Sequence, residues 1–172
     1  MAKAAMTKGY EYIAITDHSQ YLKVANGLTP EQVKSQREEI ARLNETFSNF
    51  TILTGTEMDI LPDGTLDFHD DLLAGADFVI AAIHSAFSQD KDKIMQRLIN
   101  ALKNVHVDLI AHPTGRLIGK REGYDVDLEL LIEVARETNT ALELNSNPHR
   151  LDLAPEWLEK AQKKGGRKRL SI

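Results

Sequence analysis

Residues 77–112 read DFVIAAIHSAFSQDKDKIMQRLINALKNVHVDLIAH, and two short apolar runs within them, 77–83 and 107–111, each end directly on a histidine, His84 and His112. Both runs have strand length and β-branched content. Between them, 91–103 sets Ile94, Leu98, Ile99 and Leu102 on one face of a helix. Strand, amphipathic helix and strand in that order imply parallel pairing through a right-handed crossover. The carboxyl ends of parallel strands lie on one side of the sheet, so the two histidines are expected side by side.

The pattern extends in both directions. Runs 10–16 (YEYIAIT), 51–57 (TILTGTE) and 140–145 (TALELN) complete a set of five predicted strands, bounded by Gly, Asn, Asp or Pro. Helices are predicted over 30–47, where Thr29 is the N-cap and Val33, Ile40 and Leu43 share a face, and over 126–137, where Leu130, Leu131 and Val134 do. Residues 2–8 read as the last turns of a helix and 157–164 as another, after which the chain runs into GGRKRLSI and stops where a further strand is expected. Strands alternating with helices predict an α/β fold with the helices outside. Without an internal repeat, a low-complexity segment or a dividing linker, 1–172 is expected to be one domain.

Composition narrows the function classes. At 172 residues and 19.3 kDa, with 42% hydrophobic and 27% charged residues, the chain has the size and make-up of a soluble globular domain. No apolar run approaches the roughly 20 residues that span a bilayer, and the start MAKAAMTKG is too short and polar for a secretory signal, so a cytoplasmic protein is expected. There is no cysteine, which excludes disulfides, thiolate zinc sites, iron–sulfur clusters and a cysteine nucleophile. Any metal must be held by histidine, carboxylate or water. The net charge of -5 argues against an all-over basic surface for nucleic acid. Six of the 21 basic residues follow Glu159 with no acid among them, so an acidic body carries a basic tail. The body is either a solvated face or a field that gathers divalent cations, and the tail either a DNA contact or a plain disordered end.

Polar residues fall in phase with the strands. His18 lies two residues beyond the first, Glu57 closes the second, His84 and His112 follow the third and fourth, and Asn145 closes the fifth. A parallel sheet or βα barrel gathers these ends at one mouth, although the four ligand-type residues are 27 to 39 residues apart in sequence. Three imidazoles and a carboxylate suit Zn, Mn or Fe, and such an ion makes hydrolysis the natural reaction class.

Plainer readings stand beside these. In Thr16-Asp-His-Ser, Asp17 either supports the site from behind its ligands or caps the next segment, leaving His18 as a loop residue. An inward Glu57 on an apolar strand is costly unless paired or metal-bound, and His84 and His112 are otherwise satisfied histidines at strand ends. His69 is read as a cap for the segment after it, His106 as structural and His149 as surface. Arg116 and Arg150 lie in loops on the ligand face, where each forks onto phosphate oxygens or pairs with nearby acids.

The phrases Thr16-Asp-His-Ser, Gly55-Thr-Glu-Met-Asp-Ile, Leu61-Pro-Asp-Gly-Thr-Leu-Asp-Phe, Ile83-His-Ser, Ala111-His-Pro-Thr-Gly-Arg and Glu143-Leu-Asn-Ser-Asn-Pro-His-Arg-Leu-Asp together resemble the PHP (polymerase and histidinol phosphatase) domain. The variant resembled is the one at the C-terminus of bacterial family X DNA polymerases, over about residues 4–165, with 166–172 an atypical basic tail. The resemblance implies a distorted seven-stranded βα (TIM-like) barrel with up to three Zn or Mn ions at its mouth. It also implies His18, Glu57, His84 and His112 as metal ligands, with Glu57 bridging; Arg116, Arg150, Asn145 and Asn147, from their places on the ligand face, are expected near a substrate phosphate.

The family's opening His-x-His strand and closing Asp-x-His strand have no counterpart here, so the barrel is expected to be incomplete and fewer ions held. Two open strand edges would favour a dimer. The implied activity is a phosphoesterase acting on DNA 3′ ends, with metal-bound hydroxide attacking phosphorus. The alternatives are an impaired remnant or scaffold with weak metal binding, and a histidinol-phosphatase-like enzyme acting on small phosphate esters.

Overall fold

A computed structural model describes residues 1–163 and the backbone of 168–171. The chain runs α1 (Ala2–Thr7), β1 (Tyr12–Ile15), α2 (Pro30–Asn44), β2 (Thr51–Asp59), α3 (Asp70–Leu73), β3 (Phe78–Ala82), α4 (Lys91–Lys103), β4 (Leu109–Ile110), α5 (Leu128–Thr138), β5 (Ala141–Asn145), α6 (Pro155–Lys163) and β6 (Lys168–Ser171). Strands β1 to β5, and β6 after them, pair in sequence order and all in parallel, and the sheet curls into a half-barrel. The seven-stranded closed barrel is not formed by the described residues, in which β1 and β6 are the edges.

Two expectations shift. The basic tail was predicted to stop short of a strand, yet the backbone of Lys168–Ser171 pairs with β5, because strand pairing uses main-chain groups and tolerates any charge at an edge. Strand β2 continues past Glu57 to Asp59, which pairs with Ala82. The last residue of the predicted 157–164 helix lies outside the described residues.

Local chemistry sets the helix starts. Thr29 accepts from the Gln32 amide while the Gln32 side chain accepts from the Thr29 amide, a capping box with Pro30 in the first turn. Asp90 and Asp127 cap α4 and α5 by accepting from the Lys93 and Leu130 amides. Helix α5 buries Leu131, Ile132 and Ala135, leaving the predicted core residue Leu130 at the surface. Packing α4 and α5 on β2 to β5 builds the larger core around Met58, Ile60, Val79, Leu98 and Ile110, while Ala5, Ile40, Phe50 and Ile52 form a smaller one under α1 and α2. The sheet thereby holds the carboxyl ends of its strands rigidly on one side.

Candidate metal centre

His18, Glu57, His84 and His112 meet at those carboxyl ends. The His18 backbone bridges to Glu57 in parallel, with the Ser19 amide donating to the Glu57 carbonyl at 3.1 Å. His84 stands two residues beyond β3 and His112 two beyond β4, the latter with a φ of 32° that turns the chain sharply out of its strand. One ligand atom each from His18, Glu57 and His84 lies within 4.8 Å of the others. Glu57 Oε1 is 3.3 Å from Nε2 of both His84 and His112. The imidazole of His84 sits edge-on to both other rings, with centroids 5.1 Å from His18 and 5.2 Å from His112.

The donor set fits a divalent ion. The Nδ1 atoms of His18 and His112 are buried with no hydrogen-bond partner, and so is Oδ2 of the fully buried Asp59. Desolvated lone pairs of this kind are costly unless something cationic or hydrogen-bonding meets them, and nitrogen with carboxylate oxygen suits Zn, Mn or Fe. Burial works against the charge on both members of the central pair, but their contacts prevail. Hydrogen bonds with His112 and His84 hold the Glu57 carboxyl below the ordinary carboxylate range. Asp59 and Glu57 push His84 up to about 9. His18, Glu57, His84 and His112, with Glu143, Asn145 and Arg150, line an open cavity of about 660 Å³ whose floor includes Ala14, Ile80, Leu109 and Ala111.

The sequence profile of the PHP domain matches residues 1–147. The chain belongs to the PHP domain family. This PHP domain is 66% identical over 165 residues to the DNA polymerase/3′-5′ exonuclease PolX of Bacillus subtilis (strain 168), a match that covers 96% of the chain and 29% of that protein. It is 33% identical over 150 residues to a probable phosphatase of Acetivibrio thermocellus, covering 86% of the chain and 57% of that protein. A probable phosphatase of Caldanaerobacter subterraneus subsp. tengcongensis is 30% identical over 154 residues, with 85% of the chain and 54% of that protein covered. The chain thus spans less than a third of the polymerase and about half of each phosphatase. No described helix is long and apolar enough to cross a membrane.

Other predicted site residues of the PHP domain fall elsewhere. Asp17 is exposed and accepts from Gln36 Nε2 at 2.7 Å, which ties the first loop to α2. Arg116 does not line the cavity; its Nε donates to the Arg150 carbonyl at 2.7 Å and its Nη2 to the Leu151 carbonyl. Asn147 is exposed and shapes its own loop by accepting from the His149 amide. Arg150 and Asn145 do line the cavity, and Arg150 Nη1 is buried without a partner. His69 takes the N-cap position of α3 but makes no side-chain capping bond, and His149 is exposed.

Three acids that sequence reasoning did not single out stand around the ligands. Asp59 Oδ1 is 3.2 Å from His84 Nδ1, and the Asp59 amide donates to the hydroxyl of the fully buried Ser19 at 3.0 Å. Glu143 accepts from the His112 amide and lines the cavity. Asp152 is fully buried and accepts from the amides of Thr114 and Gly115, while burial pushes its carboxyl up. A period-two reading of Gly55, Glu57 and Asp59 would have put Asp59 on the face of Glu57.

Proposed function

We propose that this PHP domain is a metal-dependent phosphoesterase in which His18, Glu57, His84 and His112 hold the metal. The observation that carries the proposal is the one carboxylate oxygen, Glu57 Oε1, set 3.3 Å from two imidazole nitrogens beside buried, unpartnered ring nitrogens. Membership of the PHP family, together with relatives named as an exonuclease-bearing polymerase and as probable phosphatases, supports the same chemistry.

When bound, a divalent ion supplies the acidity that ionises water near neutral pH and the charge that polarises a phosphoryl oxygen. The chain's residues do the rest. Asp59 orients the His84 ring so that Nε2 faces Glu57, and Glu143 fixes the backbone from which His112 projects. Arg150, whose Nη1 is unsatisfied, pairs with phosphate oxygens in forked geometry in the cavity, which Asn145 also lines. The cavity is open and its lining mostly uncharged beyond the cluster, which suits one phosphate group of a larger substrate.

The substrate we favour is the 3′ end of DNA, since the 66% identical relative carries a 3′-5′ exonuclease in its name. The test is Mn-supported hydrolysis of a 3′-labelled single-stranded oligonucleotide beside p-nitrophenyl phosphate, with His84→Ala as control. Release of 3′ nucleotides that needs Mn and is lost in the variant supports the proposal. Turnover of p-nitrophenyl phosphate alone replaces DNA by a small phosphate ester. Turnover of neither contradicts the enzyme and leaves a metal-binding scaffold.

A further inference from the structure

The two phrases HPTGR and NPHRLD, far apart in sequence, are clasped together in the fold. From the second loop, the Asp152 carboxylate accepts from the Thr114 amide at 3.1 Å and the Gly115 amide at 3.0 Å in the first. From the first, Arg116 reaches back to the carbonyls of Arg150 and Leu151. The Ile118 amide adds a third link, to the His149 carbonyl at 2.7 Å. Acid and base are thus exchanged between the loops, and each charge is spent on main-chain groups of the other. Charge-assisted bonds to backbone are stronger and more directional than neutral ones.

The clasp holds unfavourable backbone. Leu151 has a φ of 45° and His112 one of 32°, conformations that a non-glycine residue keeps only where its surroundings enforce them. His112 has anchors of its own, since Glu143 accepts from its amide and Tyr124 donates to its carbonyl at 3.4 Å. The Arg150 side chain has no such anchor: its Nη1 lies buried in the cavity wall without a partner, and only the Arg150 main chain is gripped, by Arg116.

We infer that Arg116 and Asp152 are positioning residues, which lock the loop after β4 to the loop after β5 and so aim Arg150 into the cavity beside His112. The inference deepens the phosphoesterase reading and rests on it for the role of Arg150. It assigns the two arginines opposite duties, one turned to the ligand and one to the backbone that carries the first. Lysine at 116 keeps the charge but cannot fork onto two carbonyls.

The lock itself is tested by amide hydrogen exchange, read by mass spectrometry, in Arg116→Lys and Asp152→Asn. Either variant is expected to speed exchange in both segments, 112–118 and 147–152, by about tenfold or more, with β2 unaffected. Acceleration confined to the substituted loop, or spread evenly over the whole chain, overturns the lock. The aim of Arg150 is tested by calorimetric titration of the Mn-loaded chain with inorganic phosphate. Arg116→Lys and Arg150→Lys should each weaken phosphate by about tenfold, leave Mn affinity within about threefold because His112 keeps its own anchors, and show no added loss when combined. Additive losses overturn the inference. If the unaltered chain takes up Mn but no phosphate while exchange in the two loops remains coupled, the phosphoesterase reading falls and the lock alone survives.

Discussion

Asp59 and His84 form the inner hinge of the site: Asp59 Oδ1 lies 3.2 Å from His84 Nδ1, which leaves Nε2 facing Glu57 Oε1 at 3.3 Å. A carboxylate on one ring nitrogen fixes the ring and makes the other a better donor to a metal. Asp59→Asn keeps the shape but removes the charge, and should weaken Zn or Mn by about ten- to hundredfold. Competition with a chromophoric chelator measures this, and an unchanged affinity would mean that Asp59 serves packing only.

Protons and metal compete for His84. In the metal-free chain its pKa is raised to about 9, so the folded state holds a proton that the unfolded chain releases near its ordinary value of 6.5. The stability this confers is complete below that value and is lost as pH rises through about 9. Metal affinity should move in the opposite sense, strengthening over the same window as the proton leaves. Glu57, held below the ordinary carboxylate range, contributes stability above that range and loses it as acid protonates it. Melting curves of chelator-treated protein from pH 6 to 10, with and without Zn, check the two signs for His84, and their extension into acid checks that for Glu57.

Much of this site could be read from residue type and phase. His18, Glu57, His84 and His112 were visible because strand ends are recognisable and ligand-type residues stood at each of them. Asp59 was hidden by a predicted strand end two residues too early, since the charged Glu57 reads as a strand terminus and only the pairing of Asp59 with Ala82 carries β2 beyond it. Arg116 and Arg150 looked alike, for only long-range contacts send one to carbonyls and the other to the cavity. The bond of Asp17 to Gln36 was not legible, because a loop residue carries no period to show which way it points. The sixth strand was masked by its charges, to which main-chain pairing is indifferent.

Gly115 is required by both its backbone and its neighbour. It has a φ of +63°, and a Cβ there would stand 2.4 Å from Cε1 of the buried Tyr124 ring. Gly115→Ala should therefore destabilise the fold by roughly 2–4 kcal/mol, from left-handed strain and overpacking together. The urea midpoint at constant slope reads this, and a shift below about 0.5 kcal/mol would show that the Tyr124 ring moves aside freely.

Arg97, on α4, is fully buried and joins the two loops that leave β2 and β3. It donates to the Ile60 carbonyl, to the Ser85 carbonyl at 3.1 Å and to Gln89 Oε1 at 2.8 Å. Arg97→Met strands these acceptors and should cost about 3 kcal/mol, with metal affinity reduced because Ile60 and Ser85 adjoin Asp59 and His84. Thermal unfolding and metal titration of the same sample test the pair of effects. Loss of stability with unaltered metal binding would show that the loops hold their shape without the guanidinium.

The most direct measurement is metal content, by inductively coupled plasma mass spectrometry, of the purified chain and of His84→Ala after exposure to Zn and Mn. The geometry around Glu57 predicts at least one tightly held divalent ion per chain, lost in the variant. No bound metal in either protein would contradict the metal centre and the phosphoesterase built on it.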